Sequence, residues 1–171
     1  AFLFCLFAWN ISNGQWEALN GPPGAEVVGI ADRTQKILKL SDGKILLHSG
    51  GPVYRSTDNG TSFAKIDDTY VNALIEDASG LLYGADYNVI YKSVDQGDNW
   101  TNLSLLVTGL PAQYYGEHIA IDQSNTNLFA WLYDYSVERG RLYKIPVVGG
   151  AATRIDPEPW METNTGFVNN M

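Results

Sequence analysis

Carboxylates and tyrosines recur together along this 171-residue chain: Asp67-Asp68-Thr69-Tyr70, Asp86-Tyr87-Asn88, Tyr114-Tyr115-Gly116-Glu117-His118 and Asp134-Tyr135-Ser136-Val137-Glu138-Arg139. Aromatic planes beside acids are the ingredients of a sugar-binding site: the rings stack on sugar faces, and carboxylates accept hydrogen bonds from hydroxyls. The same acids have the chemistry for glycoside hydrolysis, which needs a carboxylate pair at a set separation, one of them with a raised pKa. Asp67, Asp68, Asp86, Glu117, Asp134 and Glu138 all qualify by type, and nothing in the sequence singles out a pair. The competing reading of each stretch is a solvated polar loop with tyrosine at a sheet edge. No metal-ligand spacing is present, since His48 and His118 stand far apart and Cys5 is alone, and no phosphate-binding glycine loop occurs. The chain is therefore expected to use neither a metal nor a cofactor.

The elements that must position these loops are legible from a repeat. Val53-Tyr54-Arg55-Ser56-Thr57-Asp58-Asn59-Gly60-Thr61-Ser62-Phe63 lines up with Ile90-Tyr91-Lys92-Ser93-Val94-Asp95-Gln96-Gly97-Asp98-Asn99-Trp100, at a period of about 37 residues. Tyr-basic-Ser ends a strand and the aromatic opens the next. Between them Asp-x-Gly makes a tight turn: glycine permits positive φ, and Asp and Ser bond nearby backbone groups. A decayed third copy begins at Leu142-Tyr143-Lys144. There Gly149 falls on Gly97, while Ile145, Val147 and Ala152 replace the Ser, Asp and Trp.

Each copy is preceded by two further strand signals. Ile37–Leu40 leads through Ser41-Asp42-Gly43 into Lys44–Leu47; Asn72–Ile75 leads through Asp77–Gly80 into Leu81–Gly84; His118–Ile121 leads through Asp122–Asn125 into Asn127–Trp131. Short apolar strands separated by Asp/Ser/Gly/Asn turns predict antiparallel meanders, each reading a-b-c-d, with little or no helix. Chain order then fixes the faces. The c–d turns lie at one end, and the b–c turns and d–a crossings lie at the other. That second end gathers Asp86, Tyr87, Tyr114, Tyr115, Asp134, Tyr135, Glu138 and Arg139, the candidate ligand face, with Tyr114 and Tyr115 placed in a crossing.

The repeated motif resembles the Asp box, S-x-D-x-G-x-x-W, of BNR-repeat β-propellers. Ser93, Asp95, Gly97 and Trp100 match it fully; Ser56, Asp58, Gly60 and Phe63 match with Phe for Trp. The family includes sialidases, sortilin-type receptors and xyloglucan-degrading glycoside hydrolases. The resemblance implies an all-β fold of four-stranded propeller blades, with the boxes structural and on the face away from any active site. Blades are expected near 36–66, 72–106 and 118–156, with the start of a further one at 164–171, making about three blades of a longer ring. It implies a binding or scaffold propeller or, alternatively, part of a glycoside hydrolase. No Arg-Ile-Pro motif precedes the first box, so a xyloglucanase-like hydrolase fits better than a sialidase.

A net charge of −8 disfavours nucleic acid and anionic membranes as partners. Ten tyrosines and five tryptophans suit a β-protein with a stacking surface. Ala1–Trp9 is an apolar run too short to span a bilayer. Followed by Ser12-Asn13-Gly14, it reads as a truncated signal peptide over 1–14, with the propeller over 15–171. Bulky Leu3-Phe4 ahead of Cys5 does not fit a lipoprotein anchor. The expected setting is extracellular or periplasmic, and the expected partner is a polysaccharide or a protein.

Overall fold

A computed structural model describes residues 36–48 and 51–156 of the chain. The expected leader over 1–14 and the further blade at 164–171 lie outside the described residues. The first sheet runs β1 (Lys36–Lys39), β2 (Ile45–His48), β3 (Val53–Ser56), β4 (Ala64–Asp67). The second runs β5 (Ala73–Glu76), β6 (Leu82–Asp86), β7 (Val89–Ser93), β8 (Thr101–Asn102). A 3-10 turn (Leu103–Leu106) and β9 (Val107–Thr108) lead to the third sheet, made of β10 (Tyr114–Ile121), β11 (Asn127–Asp134), β12 (Arg139–Pro146) and β14 (Thr153–Arg154). Between the last two, β13 (Gly150–Ala151) pairs in parallel with β9. Within each of the three sheets every neighbouring pair is antiparallel, and every pair but β12–β14 is sequential. No α-helix occurs among the described residues.

Local chemistry sets these turns. Asp77 closes the β5–β6 turn by accepting the Ser79 and Leu81 amides on Oδ1 at 2.8 and 2.9 Å. Asp122 does the same for Thr126 between β10 and β11, at 2.7 Å. These are side-chain mimics of a backbone turn, which is why Asp recurs at that position.

Packing is face to face. Leu40, Leu46 and Val53 of the first sheet meet Val71 and Leu82 in one apolar cluster. Ala73, Tyr83, Ala85 and Ile90 of the second meet Tyr114, Leu128, Ala130, Leu132, Tyr143 and Ile145 of the third in another. The middle sheet thus buries both sides. The alternation of β7 sends Tyr91 towards the first sheet and Ile90 towards the third. Glycines mark the closest approaches. A Cβ on Gly84 would lie 2.9 Å from Val71 Cγ1, and one on Gly116 would lie 2.5 Å from Ala85 Cβ.

Two features depart from expectation. The third meander starts at Tyr114, ahead of the expected 118, because β10 continues through a bulge at Glu117 that lets it stay paired with β11 from Tyr114 to Ile121. Tyr114 and Tyr115 therefore belong to a strand, not to a crossing. Only β14 pairs with β12 at the outer edge of this sheet, while β13 just before it forms a separate parallel pair with β9, so the segment after the second box is stitched to the connection between β12 and β14.

The Gly116 contact generates a test. Gly116→Ala should destabilise the chain by about 1–3 kcal/mol through overpacking. Ala85→Gly in the same chain should recover part of that loss, because the nearest clash is Cβ to Cβ. Strictly additive losses in thermal unfolding would show that the two sheets do not meet there.

Candidate functional site

At one end of the sheets stand the two box turns. Ser56 Oγ donates to Asp58 Oδ1 (2.7 Å) and accepts the Gly60 amide (2.8 Å), while Asp58 accepts the Ser62 amide (2.9 Å) and hydroxyl (2.6 Å). The second turn repeats this with Ser93, Asp95, Gly97 and Asn99, whose side-chain amide replaces the Ser62 hydroxyl. Gly60 and Gly97 have φ of 87° and 93°. Hydrogen bonds, those from Ser62 foremost, hold the Asp58 carboxyl at about 2, and the Asn99 amide pulls Asp95 in the same direction. Trp100 closes its turn against Gly97, and its ring meets Tyr91 edge-on at 6.1 Å; Phe63 holds the equivalent sequence position in the first box. In the decayed third turn Gly149 keeps a φ of 90°, and its amide goes to the Pro146 carbonyl in place of a serine. The carboxylates of Asp58 and Asp95 are thus engaged within their own turns.

The second box is also pinned to the first sheet. Gln96 exchanges side-chain hydrogen bonds with Lys44 and Asp42, and Arg55 reaches the Gln96 carbonyl and the Asp98 carboxylate.

At the opposite end lies an open cleft of about 530 Å³, lined by Tyr70, Asp86, Tyr87, Val89, Tyr91, Tyr115 and Tyr135. The two-residue turn Tyr87-Asn88 joins β6 to β7, with Asn88 left-handed at φ 54°. The Asn88 amide donates to the Tyr114 carbonyl, and its side chain accepts the Tyr114 amide. This fixes Tyr87 against Tyr115, which it meets in an isolated bridge. The β11–β12 turn is held by Asp134, which accepts the Ser136 amide and hydroxyl, and by the Tyr135 amide donating to Gln113. As a result the Tyr135 ring lies 5.8 Å from Tyr87 at 58°, and Tyr133 backs it edge-on at 5.1 Å. Burial raises the phenols of Tyr91 and Tyr135. Nearby negative charge adds to this, from Asp86 and Asp67 at Tyr91 and from Glu117 and Asp86 at Tyr135.

Of the residues the sequence assigned to this face, Asp86, Tyr87, Tyr115 and Tyr135 come together in the cleft. Tyr114 does not: strand alternation turns it into the core, where it is 3% exposed and its hydroxyl meets Ser104 at 3.0 Å. Asp134 is likewise withdrawn, 8% exposed and committed to its turn. Glu138 occupies a left-handed turn position and Arg139 opens β12 opposite Asp134, and neither lines the cleft. Tyr70, Val89 and Tyr91 complete the lining. Period-two alternation places Val89 and Tyr91 on one face and was a usable signal; Tyr70 sits in a crossing whose path the sequence leaves open.

No protein-family model matches the chain, and no curated protein matches it. Among solved structures it resembles a GH74 enzyme of Niastella koreensis, with a TM-score of 0.52 and 20% identity, over 67% of this chain and 19% of that one. It also resembles the GH74 xyloglucanase of Xanthomonas campestris, with a TM-score of 0.52 and 14% identity, over 70% of this chain and 23% of that one. The likeness is one of fold and supports the propeller-type, nearly all-β architecture. The chain spans about a fifth of the length of these two structures.

Two tests concern the boxes. Ser93 is 1% exposed and accepts the buried Gly97 amide, so Ser93→Ala should cost about 1–2 kcal/mol through the orphaned donor. No loss in denaturant unfolding would show the serine to be dispensable. For Asp58, a carboxyl depressed below its ordinary 3.8 stabilises the fold while ionised, above about pH 4, and that contribution fades as pH falls towards 2. Asp58→Asn should therefore flatten the fall in Tm between about pH 4 and pH 2. Superimposable acid limbs would contradict this.

Proposed function

We propose that this chain is an exported β-propeller module that binds carbohydrate through the tyrosine cleft. One observation carries the reading: five tyrosine rings and the Asp86 carboxylate converge on an open cleft at the end away from the box turns. Sugar rings offer apolar C–H faces to aromatic planes and hydroxyls to carboxylates and phenols. The openness of the cleft suits a run of a polymer better than an enclosed small molecule. Likeness to two GH74 structures, one of them named a xyloglucanase, supports a carbohydrate ligand by analogy of fold. Export rests on the apolar run Ala1–Trp9 followed by small residues at Ser12 and Gly14.

A second reading, part of a glycoside hydrolase, is favoured by the same GH74 likeness. It needs a second carboxylate beside Asp86. Asp67 and Glu117 lie near enough to act on phenols that also feel Asp86.

Affinity electrophoresis against a panel of plant and microbial polysaccharides tests the binding reading. Tyr87→Ala with Tyr135→Ala should weaken retention about five- to thirtyfold, the loss of stacking being about 1–2 kcal/mol. Retention unchanged in the folded double variant would sink it. Release of reducing ends from xyloglucan that disappears in Asp86→Asn would favour the hydrolase.

A further inference from the structure

Two tyrosines that touch in the cleft are carried by different sheets. Tyr87 belongs to the β6–β7 turn of the second sheet and Tyr135 to the β11–β12 turn of the third. Their ring centroids lie 5.8 Å apart with the planes at 58°. Main-chain bonds hold them opposite each other: Asn88 bonds Tyr114 in both directions, and the Tyr135 amide donates to the Gln113 carbonyl. The rings are therefore positioned by their turns and not by their own burial. They remain 52% and 44% exposed, so a reagent in solution can reach both.

One-electron oxidation of a phenol gives a radical whose spin lies on the oxygen and on the ring carbons ortho to it. Two such radicals meeting at those carbons form a biaryl bond. A biaryl is twisted, because the groups flanking the new bond clash when the rings are coplanar. Rings already tilted to each other approach that bond more directly than stacked rings, which offer faces and not edges. Tyr133 meets Tyr135 at 5.1 Å and 76°, which gives a radical formed on Tyr133 a phenol to draw an electron from. Thiols reduce such radicals, and no cysteine occurs among the described residues.

We propose that Tyr87 and Tyr135 form a cross-linking site, which an oxidant of the peroxidase and hydrogen peroxide class converts to a dityrosine bridging the second and third sheets. Each phenol gives up one electron and one proton, and the pair together reduces one hydrogen peroxide to two waters. The radicals couple ortho to ortho. The ring hydrogens displaced by the new carbon–carbon bond move to the oxygens and restore both hydroxyls, so the chain loses two hydrogen atoms in all. The bond fixes the distance between the two turns, and with it the width of the cleft. The site stands whether or not the cleft takes a sugar.

The test treats the full chain, dilute, with a haem peroxidase and limiting hydrogen peroxide. The expected product is a monomer lighter by two hydrogen atoms, with the fluorescence of a biphenol. Peptide mapping by mass spectrometry should recover one cross-linked pair, carrying Tyr87 and Tyr135. Tyr87→Phe should abolish that pair, and Tyr133→Phe should leave it in place. The same treatment in denaturant should lose it, because the turns no longer hold the rings together. A link confined to Tyr133 and Tyr135, a link from Tyr87 to Tyr115, covalent dimers alone, or no link overturns the proposal. Should Tyr87→Phe fail to fold, the peptide map of the unaltered chain decides the matter.

Discussion

A four-stranded sheet placed between two others must bury both of its faces, and most of what is distinctive in this chain follows from that requirement. In β6 the residues Leu82, Tyr83, Gly84 and Ala85 are consecutive and all buried, so the alternation of apolar and polar residues typical of a half-exposed strand is absent. Side chains there must be apolar whichever way they point, and their sizes must match the gap on each side. Gly84 faces Val71, and Gly116 on β10 lets the third sheet close onto Ala85.

The two junctions meet this requirement by different means. Between the first and second sheets a modest apolar cluster is supplemented by polar contacts at the box end, where Lys44, Asp42 and Arg55 hold Gln96 and Asp98. Exposed ion pairs of that kind contribute little individually, so their role is to fix the angle of the turn more than to hold the sheets together. Between the second and third sheets the apolar cluster is larger, and the pairing of β9 with β13 adds backbone hydrogen bonds. The third turn needs no serine staple in this setting. Ile145 is fully buried where the other copies have Ser56 and Ser93, and Gly149 packs against Leu106 too closely to admit a Cβ.

The blades and turns were legible in the sequence because they depend on local chemistry: period-two apolar runs, Asp-x-Gly spacing and a repeat in register. The boundaries of the third sheet were not. Tyr114 and Tyr115 are adjacent and chemically identical, yet one lies in the core and the other lines the cleft. That choice is made by pairing with β11 and by the Asn88 contacts, both long-range. Asp134 was misjudged for a related reason, since an acid before Ser in a turn either caps the turn or faces solvent, and sequence does not distinguish these. The lid position teaches the converse lesson. The buried Trp100 Nε1 has no partner among the described residues, and Phe63 fills the same place in the first box, so the position requires an apolar ring and not an indole donor.

Because Tyr70 follows the first sheet, Asp86 to Tyr91 belong to the second, and Tyr115 and Tyr135 to the third, the walls of the cleft are carried by different sheets. Its width is therefore a readout of how far those layers splay, as the gap at a book's fore-edge reports the bend of its spine. Whatever fills the gap and whatever pulls the layers apart act on one coordinate. By linkage, a ligand that fitted one splay better than another would bias the layers towards it, and a load that set the splay would change that ligand's affinity in return.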